Sequence, residues 1–161
     1  MAEKIDVLKG GSREEQYQNI LPQIKALLEG ESDTIANLAN ISAVLKEAFS
    51  FLWVGFYIVK GEQLVLGPFQ GRIACTRINY GKGVCGTAWK ENRTITVADV
   101  NTFAGHIACD SESRSEIVIP IRKHSKVVAV LDVDSEIEAN FSEVDAKYLQ
   151  EIVCVLENIY S

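Results

Sequence analysis

Hydrophobic residues recur at helical spacing in two stretches near the beginning of the chain and in one at its end. A capping-box pattern of Ser12 and Glu15 predicts where the first helix begins, and Gly30 predicts where it ends. The second helix is predicted to begin at Ser32 and the last at Ser142. The apolar stripes are Tyr17, Ile20, Ile24, Leu27 and Leu28 in the first helix, Ile35, Leu38, Ile41, Leu45, Ala48 and Phe49 in the second, and Tyr148, Leu149, Ile152, Val153, Leu156 and Ile159 in the last. Each helix is therefore expected to bury one side against a core.

Between these helices the pattern changes to that of β-strands. Residues 51–60, FLWVGFYIVK, are rich in aromatic and β-branched side chains, and a turn at Gly61 and Glu62 leads into the hairpin partner QLVLGPF, 63–69. Further strands are predicted over 94–98, 115–121 and 126–134. The order helix, helix, strands, helix predicts an α+β fold in which a central antiparallel sheet is backed by the N- and C-terminal helices.

The composition is that of one globular domain. The chain has 161 residues, of which 47% are hydrophobic and 24% are charged, and it contains only 3 prolines. A chain of this length buries enough surface for a self-sufficient core. We therefore expect a single domain over residues 1–161, with residues 1–11 irregular or flexible.

Charge and hydropathy argue against two classes of partner. The net charge is −6 and the pI is about 5.0, whereas proteins that hold nucleic acid cluster lysine and arginine against the phosphates. Residues 1–16 hold no apolar run of signal-peptide length, and charged residues interrupt every stretch long enough to cross a bilayer. The sequence therefore predicts a cytoplasmic protein that binds neither nucleic acid nor membrane.

The segment 67–115 is rich in glycine and holds three of the four cysteines. Irregular segments above a rigid sheet often carry functional groups, so the active site is predicted in these loops, on the sheet face opposite the helices. In the cytoplasm, Cys75, Cys85 and Cys109 are not expected to form a permanent disulfide framework, so each is either inert or reactive. Cys154 lies beside the apolar stripe of the last helix and is interpreted as structural.

Cys109 is the first candidate nucleophile. A nucleophilic cysteine must be a thiolate near neutral pH, which requires exposure and a positive group or helix N-terminus nearby. His106 and Arg114 lie within five residues of it, and the sequence DSES, 110–113, predicts a capped turn. A lone cysteine is more often buried and inert, but three thiols in one segment favour thiol exchange.

A zinc site is the competing interpretation of these cysteines. Structural zinc sites usually pair cysteine ligands two to four residues apart. Here nine residues separate Cys75 from Cys85, and twenty-three separate Cys85 from Cys109. The spacing therefore predicts no metal site.

Three acids accompany the cysteines. Strand alternation places Asp132 and Asp134 on one face, where their like charges repel. Such a pair is tolerated when a cation lies between the carboxylates, when both are solvated, or when one takes up a proton. Glu116 begins another predicted strand, and burial near other carboxylates would raise its pKa and make it a candidate general acid.

Aromatic residues form the last part of the pattern. Trp53, Gly55 and Tyr57 alternate onto one face of a strand, where the glycine leaves room for a ligand to approach. Core packing alone would also explain these residues. Together with two aspartates and a thiolate, they suit a small ligand with an ammonium group and a reducible atom, such as an amino acid with an oxidised sulfur.

At this level of detail the chain resembles a known family. The motifs are GPFQG (67–71), AC (74–75), GKGVCGTA (81–88), VADV (97–100), GHIACDS (105–111), SRSEIVIP (113–120) and VLDVDS (130–135). In order and spacing they resemble those of the free methionine-R-sulfoxide reductases, whose fold is a GAF domain. The resemblance extends from about residue 35 to residue 160.

The resemblance implies a role for each thiol. Cys109 would attack the sulfoxide sulfur, methionine would leave, and a sulfenic acid would remain on Cys109. A second thiol then condenses with it to a disulfide. Cys75 is the favoured resolving residue, and Cys85 is an alternative resolver or part of the pocket.

The resemblance also assigns the remaining side chains. Glu116 matches the position that holds the sulfoxide oxygen, and Asp132 and Asp134 match positions that hold the substrate ammonium. Trp53 and Tyr57 match an aromatic wall. Because methionine within a polypeptide lacks the ammonium, the site is expected to reject protein-bound substrate.

The wider expectations follow from the same resemblance. Thioredoxin, the usual reductant of such a disulfide, is expected as electron donor, with dithiothreitol as its substitute in vitro and with no bound cofactor. Apolar positions on the first two helices allow a homodimer. The alternatives are a GAF-type sensor of small molecules and a redox-sensing thiol protein without turnover. A passive sensor needs no set of three cysteines, and thiol sensing needs neither the acids nor the aromatic wall.

Overall fold

The computed structural model describes residues 4–160 and confirms the α+β fold. The helices are α1 (Arg13–Leu28), α2 (Thr34–Phe49), α3 (Gly83–Glu91) and α4 (Glu143–Ile159). The strands are β1 (Trp53–Lys60), β2 (Gln63–Gln70), β3 (Arg77–Asn79), β4 (Ile95–Val97), β5 (Ser115–Lys123) and β6 (Lys126–Ser135). They form an antiparallel sheet in the order β3-β2-β1-β6-β5-β4. In the range 4–160, no helix has the length and apolar character needed to cross a lipid bilayer.

Side-chain caps determine where the helices begin. Ser12 Oγ accepts a hydrogen bond from the Glu15 amide at 3.1 Å, which completes the predicted capping box of α1. A capping box at Ser142 likewise begins α4. The predicted start of α2 at Ser32 is one residue early. Asp33 is the cap instead, because its carboxylate accepts from the amide three residues later at 2.9 Å.

The first core lies on the face of the sheet that we call the helix face. There α2 and α4 pack on the strands, and α1 packs against α4. The buried strand residues of this face are Val54, Phe56, Ile117, Ile119, Ile121, Ala129, Leu131 and Val133. The prediction that Ile35 belongs to the apolar stripe of α2 was wrong, since this residue is 56% exposed. One helical turn before Leu38, the buried side of the helix passes through Thr34, and Ile35 lies beside that buried side.

The N-terminal segment is irregular but attached. Residues 4–11 form neither helix nor strand, and residues 1–3 lie outside the described residues. The amide of Asp6 donates to Gln23 Oε1 on α1 at 2.8 Å, and the apolar side chains on either side of it pack against the first core. This attachment holds the segment along α1.

A second core lies on the opposite face, which we call the loop face. Here α3 packs against β5 and β6. The sequence pattern missed this helix because it is short and contains two glycines. Cys85 is therefore not in an irregular segment: it lies in the first turn of α3 and is 4% exposed. Gly86 allows this close packing, because a Cβ there would lie 2.6 Å from the carbonyl oxygen of Asn79.

Strand register brings the acids together on the loop face. Asp134 on β6 lies between Trp53 on β1 and Glu116 on β5. Asp132, two residues earlier, lies between Gly55 and Val118. Directly opposed residues project to the same side of a sheet, so the three acids share this face.

Candidate active site

A pocket of about 550 Å³, counting its opening, lies on the loop face. It is lined by Trp53, Tyr57, Ile73, Ala74, Ile78, Gly83, Val84, Cys85, His106, Ile107, Cys109, Asp110, Ser113, Glu116, Asp132 and Asp134. The strands supply the acids, the aromatic rings and Ile78; α3 supplies Cys85 and its two preceding residues; two loops supply the rest. All the residues that the sequence singled out as site candidates line it, except Cys75, whose neighbour Ala74 does.

Cys75 and Cys109 are joined by a disulfide, with their Cα atoms 5.5 Å apart. The first lies between β2 and β3, and the second lies in the loop before β5. Both residues are half-buried, so the bond lies near the surface. Cys85 is a free, buried thiol, and Cys154 is free and exposed on α4.

The loop around Cys109 is ordered by its own polar groups. The predicted capped turn is present, because Asp110 Oδ1 accepts from the Glu112 amide at 2.9 Å. His106 and Arg114, which were expected to supply positive charge near Cys109, do not do so as predicted. The guanidinium of Arg114 donates to Glu138 at 3.4 Å, and burial lowers the pKa of His106 so that the neutral imidazole is favoured. The Nδ1 atom of His106 is buried without a hydrogen-bond partner.

Arg72 connects the loops of the two disulfide cysteines. Its guanidinium lies 3.6 Å from Asp110 Oδ1 and donates to Glu112 Oε2 at 2.6 Å. The Arg72 side chain is 56% exposed, so solvent screens these pairs and their contribution to stability is small. Their structural effect is to hold the segment next to Cys75 against the turn that follows Cys109.

Burial governs the protonation of the three acids. Burial raises the pKa of Glu116, and the charges of Asp132 and Asp134 raise it further. Burial also raises the pKa of Asp134; the charge of Asp132 adds to this rise, and a hydrogen bond from Ser113 Oγ at 3.2 Å opposes it. At Asp132, burial raises the pKa while hydrogen bonds from Glu116 and Cys85 oppose the rise. Burial and mutual repulsion therefore favour protonation within this group while the pocket is empty, whereas a bound cation would favour the ionised carboxylates.

The thiol of Cys85 belongs to this buried group. Its Sγ atom lies 4.0 Å from Glu116 Oε1. Burial raises the pKa of Cys85, and the charges of Asp132 and Glu116 raise it further. A thiol in this environment stays protonated, so Cys85 is a poor nucleophile.

The two aromatic residues Trp53 and Tyr57 also position the loop that holds Cys75. The two rings stack at 5.9 Å, Trp53 Nε1 donates to the carbonyl of Arg72 at 3.1 Å, and the Tyr57 hydroxyl donates to the carbonyl of Cys75 at 2.9 Å. The space above Gly55 does not admit a ligand as predicted. A Cβ there would lie 2.4 Å from Phe69 and 2.6 Å from the Trp53 ring, so these side chains fill it.

Two polar residues of the pocket were missed at the level of sequence. Ser113 donates to Asp134, and Asp110 has a buried Oδ2 atom without a hydrogen-bond partner. Both lie in motifs quoted above, yet serine and aspartate are so common in turns that the pattern gave them no chemical role. Asp110 adds negative charge, which raises the pKa of Asp134.

With this geometry established, comparison with known proteins identifies relatives. Residues 31–154 match the family model of the GAF domain. The chain is 58% identical over 159 residues to GAF domain-containing protein A of Dictyostelium discoideum, with 98% of this chain and 100% of that protein covered. It is 44% identical over 149 residues to the free methionine-R-sulfoxide reductase of Escherichia coli, with 92% and 90% covered.

A solved structure agrees with these sequence relatives. The X-ray structure of free methionine-R-sulfoxide reductase from Neisseria meningitidis, in complex with its substrate, superposes with a TM-score of 0.95. The two chains are 48% identical, and the match covers 98% of this chain and 95% of that one. The similarity therefore extends over nearly the whole chain.

Proposed function

This chain belongs to the free methionine-R-sulfoxide reductases, a family built on the GAF domain, and we propose that it reduces free methionine (R)-sulfoxide with Cys109 as the nucleophile. The observation that carries the proposal is the disulfide between Cys75 and Cys109 beside a pocket that holds the buried Glu116 and Asp132 and the half-buried Asp134. A redox pair and a group that attracts cations, in one pocket, suit an amino acid whose sulfur is oxidised.

The reaction begins in the dithiol form. The Cys109 thiolate attacks the sulfoxide sulfur, and the oxygen takes up a proton. The oxygen is transferred to Cys109 as a sulfenic acid, and methionine leaves with its sulfur reduced by two electrons. The Cys75 thiol then attacks this sulfenic acid, which forms the disulfide and releases the oxygen as water.

Geometry favours Cys75 over Cys85 as the resolving thiol. Its Cα atom lies 5.5 Å from that of Cys109, in the middle of the range that an unstrained disulfide requires. The hydrogen bond from Tyr57 to its carbonyl and the contacts of Arg72 hold its loop in place. Cys85 is buried with a raised pKa and instead forms part of the pocket.

Glu116 is the proton donor to the sulfoxide oxygen. Its raised pKa favours the neutral carboxyl, and only the neutral form can donate a hydrogen bond to the oxygen. A donor of this kind stabilises the negative charge that develops on the oxygen as the sulfur is attacked.

Asp132 and Asp134 bind the substrate ammonium. Asp132 Oδ1 is buried without a hydrogen-bond partner, and Asp134 is engaged by Ser113 alone among the hydrogen bonds of the described residues. An ammonium offers three donors and the positive charge that this group of acids needs. A methionine sulfoxide in the middle of a polypeptide lacks this ammonium, so it would leave the buried carboxylates unpaired and should be rejected.

A protein dithiol of the thioredoxin class closes the cycle. The disulfide is half-buried, so a thiolate from outside can attack it. Dithiothreitol should replace this donor in vitro. The product of each cycle is methionine, water and an oxidised donor, and the mechanism requires no metal or organic cofactor.

The test is methionine formation from separated R and S epimers of free methionine sulfoxide, with dithiothreitol as reductant. Turnover of the R epimer alone is the expected result, and a peptide-bound methionine sulfoxide should not react. Absence of turnover with either epimer, in folded and reduced protein, would contradict the proposal and favour the sensor function known for other GAF domains.

A further inference from the structure

Three side chains with metal-binding atoms meet at the buried end of the pocket. One ligand atom from each of Cys85, Glu116 and Asp132 lies within 4.8 Å of the other two, and Cys85 Sγ lies 4.0 Å from Glu116 Oε1. All three side chains are buried, and all three line the pocket. They come from α3, β5 and β6, so the fold alone brings them together.

Asp132 provides an independent observation. The residue is 6% exposed, and its Oδ1 atom is buried without a hydrogen-bond partner. A buried carboxylate oxygen without a partner is costly unless a ligand or a cation satisfies it. Since this atom belongs to a pocket residue, it is available to a ligand that enters the pocket.

From this arrangement we propose a second ligand for the pocket: a soft divalent cation of the zinc class, held by Cys85, Glu116 and Asp132, that competes with the substrate. The cysteine spacing alone predicted no metal site, because that argument considers only ligands of one residue type close in sequence. The ligand set here combines one thiolate with two carboxylates from separate elements.

The geometry suits zinc better than a hard cation. Zinc binds thiolate sulfur at about 2.3 Å and carboxylate oxygen at about 2.0–2.2 Å, so ligand atoms around it lie about 3.3–3.8 Å apart. The sulfur–oxygen distance of 4.0 Å would close to this range by a small side-chain rotation. Calcium and magnesium prefer sets made of oxygen alone, which a thiolate disfavours. Three protein ligands leave the fourth position open toward the pocket.

Metal binding and substrate binding exclude each other at this site. A bound cation would require Cys85 and Glu116 to release their protons, and it would take the Asp132 oxygen that the ammonium needs. The competition depends on the proposed function, whereas the metal site itself does not. The two ideas can therefore fail separately.

The test uses Co²⁺ as a spectroscopic probe of the disulfide form. In that form Cys75 and Cys109 have no thiol, so a thiolate-to-cobalt charge-transfer band can come only from Cys85 or Cys154. We expect one Co²⁺ per chain with a charge-transfer band that Zn²⁺ removes and excess Mg²⁺ does not. The band should persist in Cys154→Ser, which alters the exposed thiol alone.

Two variants locate the site. Cys85→Ser should lose the band, and Asp132→Asn should weaken Co²⁺ binding at least about 10-fold, as loss of one ligand predicts. Thermal unfolding of each variant shows whether it is folded. Because Asp132→Asn retains the thiol, it tests the proposal even if Cys85→Ser does not fold. A band that survives in Cys85→Ser, or no thiolate band in the wild type, would overturn the site.

A competition titration tests the overlap with substrate. Saturating free methionine should weaken Co²⁺ binding by at least about 10-fold if the two ligands exclude each other. Unchanged Co²⁺ affinity, with methionine binding verified separately, would overturn the competition but leave the metal site.

Discussion

The two faces of the sheet are built from alternate residues of the same strands, yet their chemistry is opposite. On β6, Leu131 and Val133 project to the helix face, and Asp132 and Asp134 project to the loop face. On the helix face, α2 and α4 cover the strands with apolar side chains. On the loop face, an apolar cluster surrounds acids whose charge has no fixed cationic partner in the pocket. Neighbouring residues of one strand therefore serve different purposes: one side chain stabilises the fold, and the next belongs to the pocket.

This separation has an energetic meaning. Apolar burial on the helix face stabilises the fold by about 25 cal/mol for each Å² removed from water. Burial of Glu116 and Asp132, and partial burial of Asp134, opposes folding, because each carboxylate loses hydration and gains little in return. Substitutions on the two faces should therefore have effects of opposite sign on stability and of different kind on catalysis.

The largest effect should come from the disulfide cysteines. Cys109→Ser should lower steady-state turnover at least about 10³-fold, because serine is a far weaker nucleophile toward sulfur. Cys154→Ser is the matched control, since that thiol is exposed on α4, and it should leave turnover unchanged. The assay is methionine formation with dithiothreitol. Substantial turnover in Cys109→Ser would show that the loop face does not depend on Cys109 for its chemistry.

Glu116→Gln should reduce kcat about 10²- to 10⁴-fold, the usual contribution of a general acid. The raised pKa of Glu116 also predicts a pH profile. Activity should fall as pH rises through that pKa, because the neutral donor is lost, and the variant should lack this alkaline limb. The measurement is kcat against pH. The same alkaline limb in both proteins would show that another group is the acid.

On the helix face, Leu131→Ala should lower the free energy of unfolding by about 2–5 kcal/mol. The residue is fully buried in the first core, so its truncation leaves a cavity. Ile35→Ala is the matched control; with a side chain 56% exposed, it should change stability by less than about 0.5 kcal/mol. Denaturant unfolding measures both. We expect kcat of folded Leu131→Ala to stay near that of the wild type, and a large loss would contradict the separation of the faces.

Asp134→Asn should raise KM for free methionine sulfoxide about 10- to 100-fold, which corresponds to the loss of one charged hydrogen bond of about 1.5–3 kcal/mol. The same substitution should benefit the stability of the fold as pH rises. The pKa of Asp134 is raised in the fold, so its contribution is fully favourable below about pH 4, the pKa of an unfolded aspartate, and is lost as pH rises through the folded pKa. Asparagine does not ionise, so the variant does not lose stability in this way.

Thermal unfolding from pH 4 to pH 8 measures that difference. The melting temperature of Asp134→Asn should increase relative to that of the wild type as pH rises, while its KM remains high. A variant that is less stable than the wild type by the same amount at every pH would show that Asp134 stabilises the fold through its contact with Ser113 instead.

Much of the fold could be predicted from local patterns. Residue types identified five of the six strands of the described chain but missed the short β3. Period-two alternation placed Asp132 and Asp134 on one face, and capping residues gave two helix starts. In contrast, α3 escaped because glycines obscure a short helix, and Cys85 was assigned to a loop for that reason. The free space expected above Gly55 was also wrong, since Phe69 on the neighbouring strand fills it.

The site needed information that lies outside any local pattern. That Cys75 and not Cys85 pairs with Cys109 depends on loop geometry across 34 residues, and the sequence favoured this pair only through resemblance. The placement of Arg72 between the two loops likewise depends on the folded chain. Residue types predicted the chemistry, and strand register determined which groups share the pocket.

A burst experiment without reductant tests the roles of Cys109 and Cys75 most directly. Fully reduced protein, freed of dithiothreitol and mixed with excess free methionine (R)-sulfoxide, should form about one methionine per chain, the stoichiometry of a single nucleophile, and should end with Cys75 bound to Cys109. Cys75→Ser should give the same burst and stop at a sulfenic acid, which a dimedone-type reagent traps, whereas Cys109→Ser should give none. A burst in Cys109→Ser, or equal loss in both variants, would contradict the assignment of Cys109 as nucleophile and Cys75 as resolving thiol.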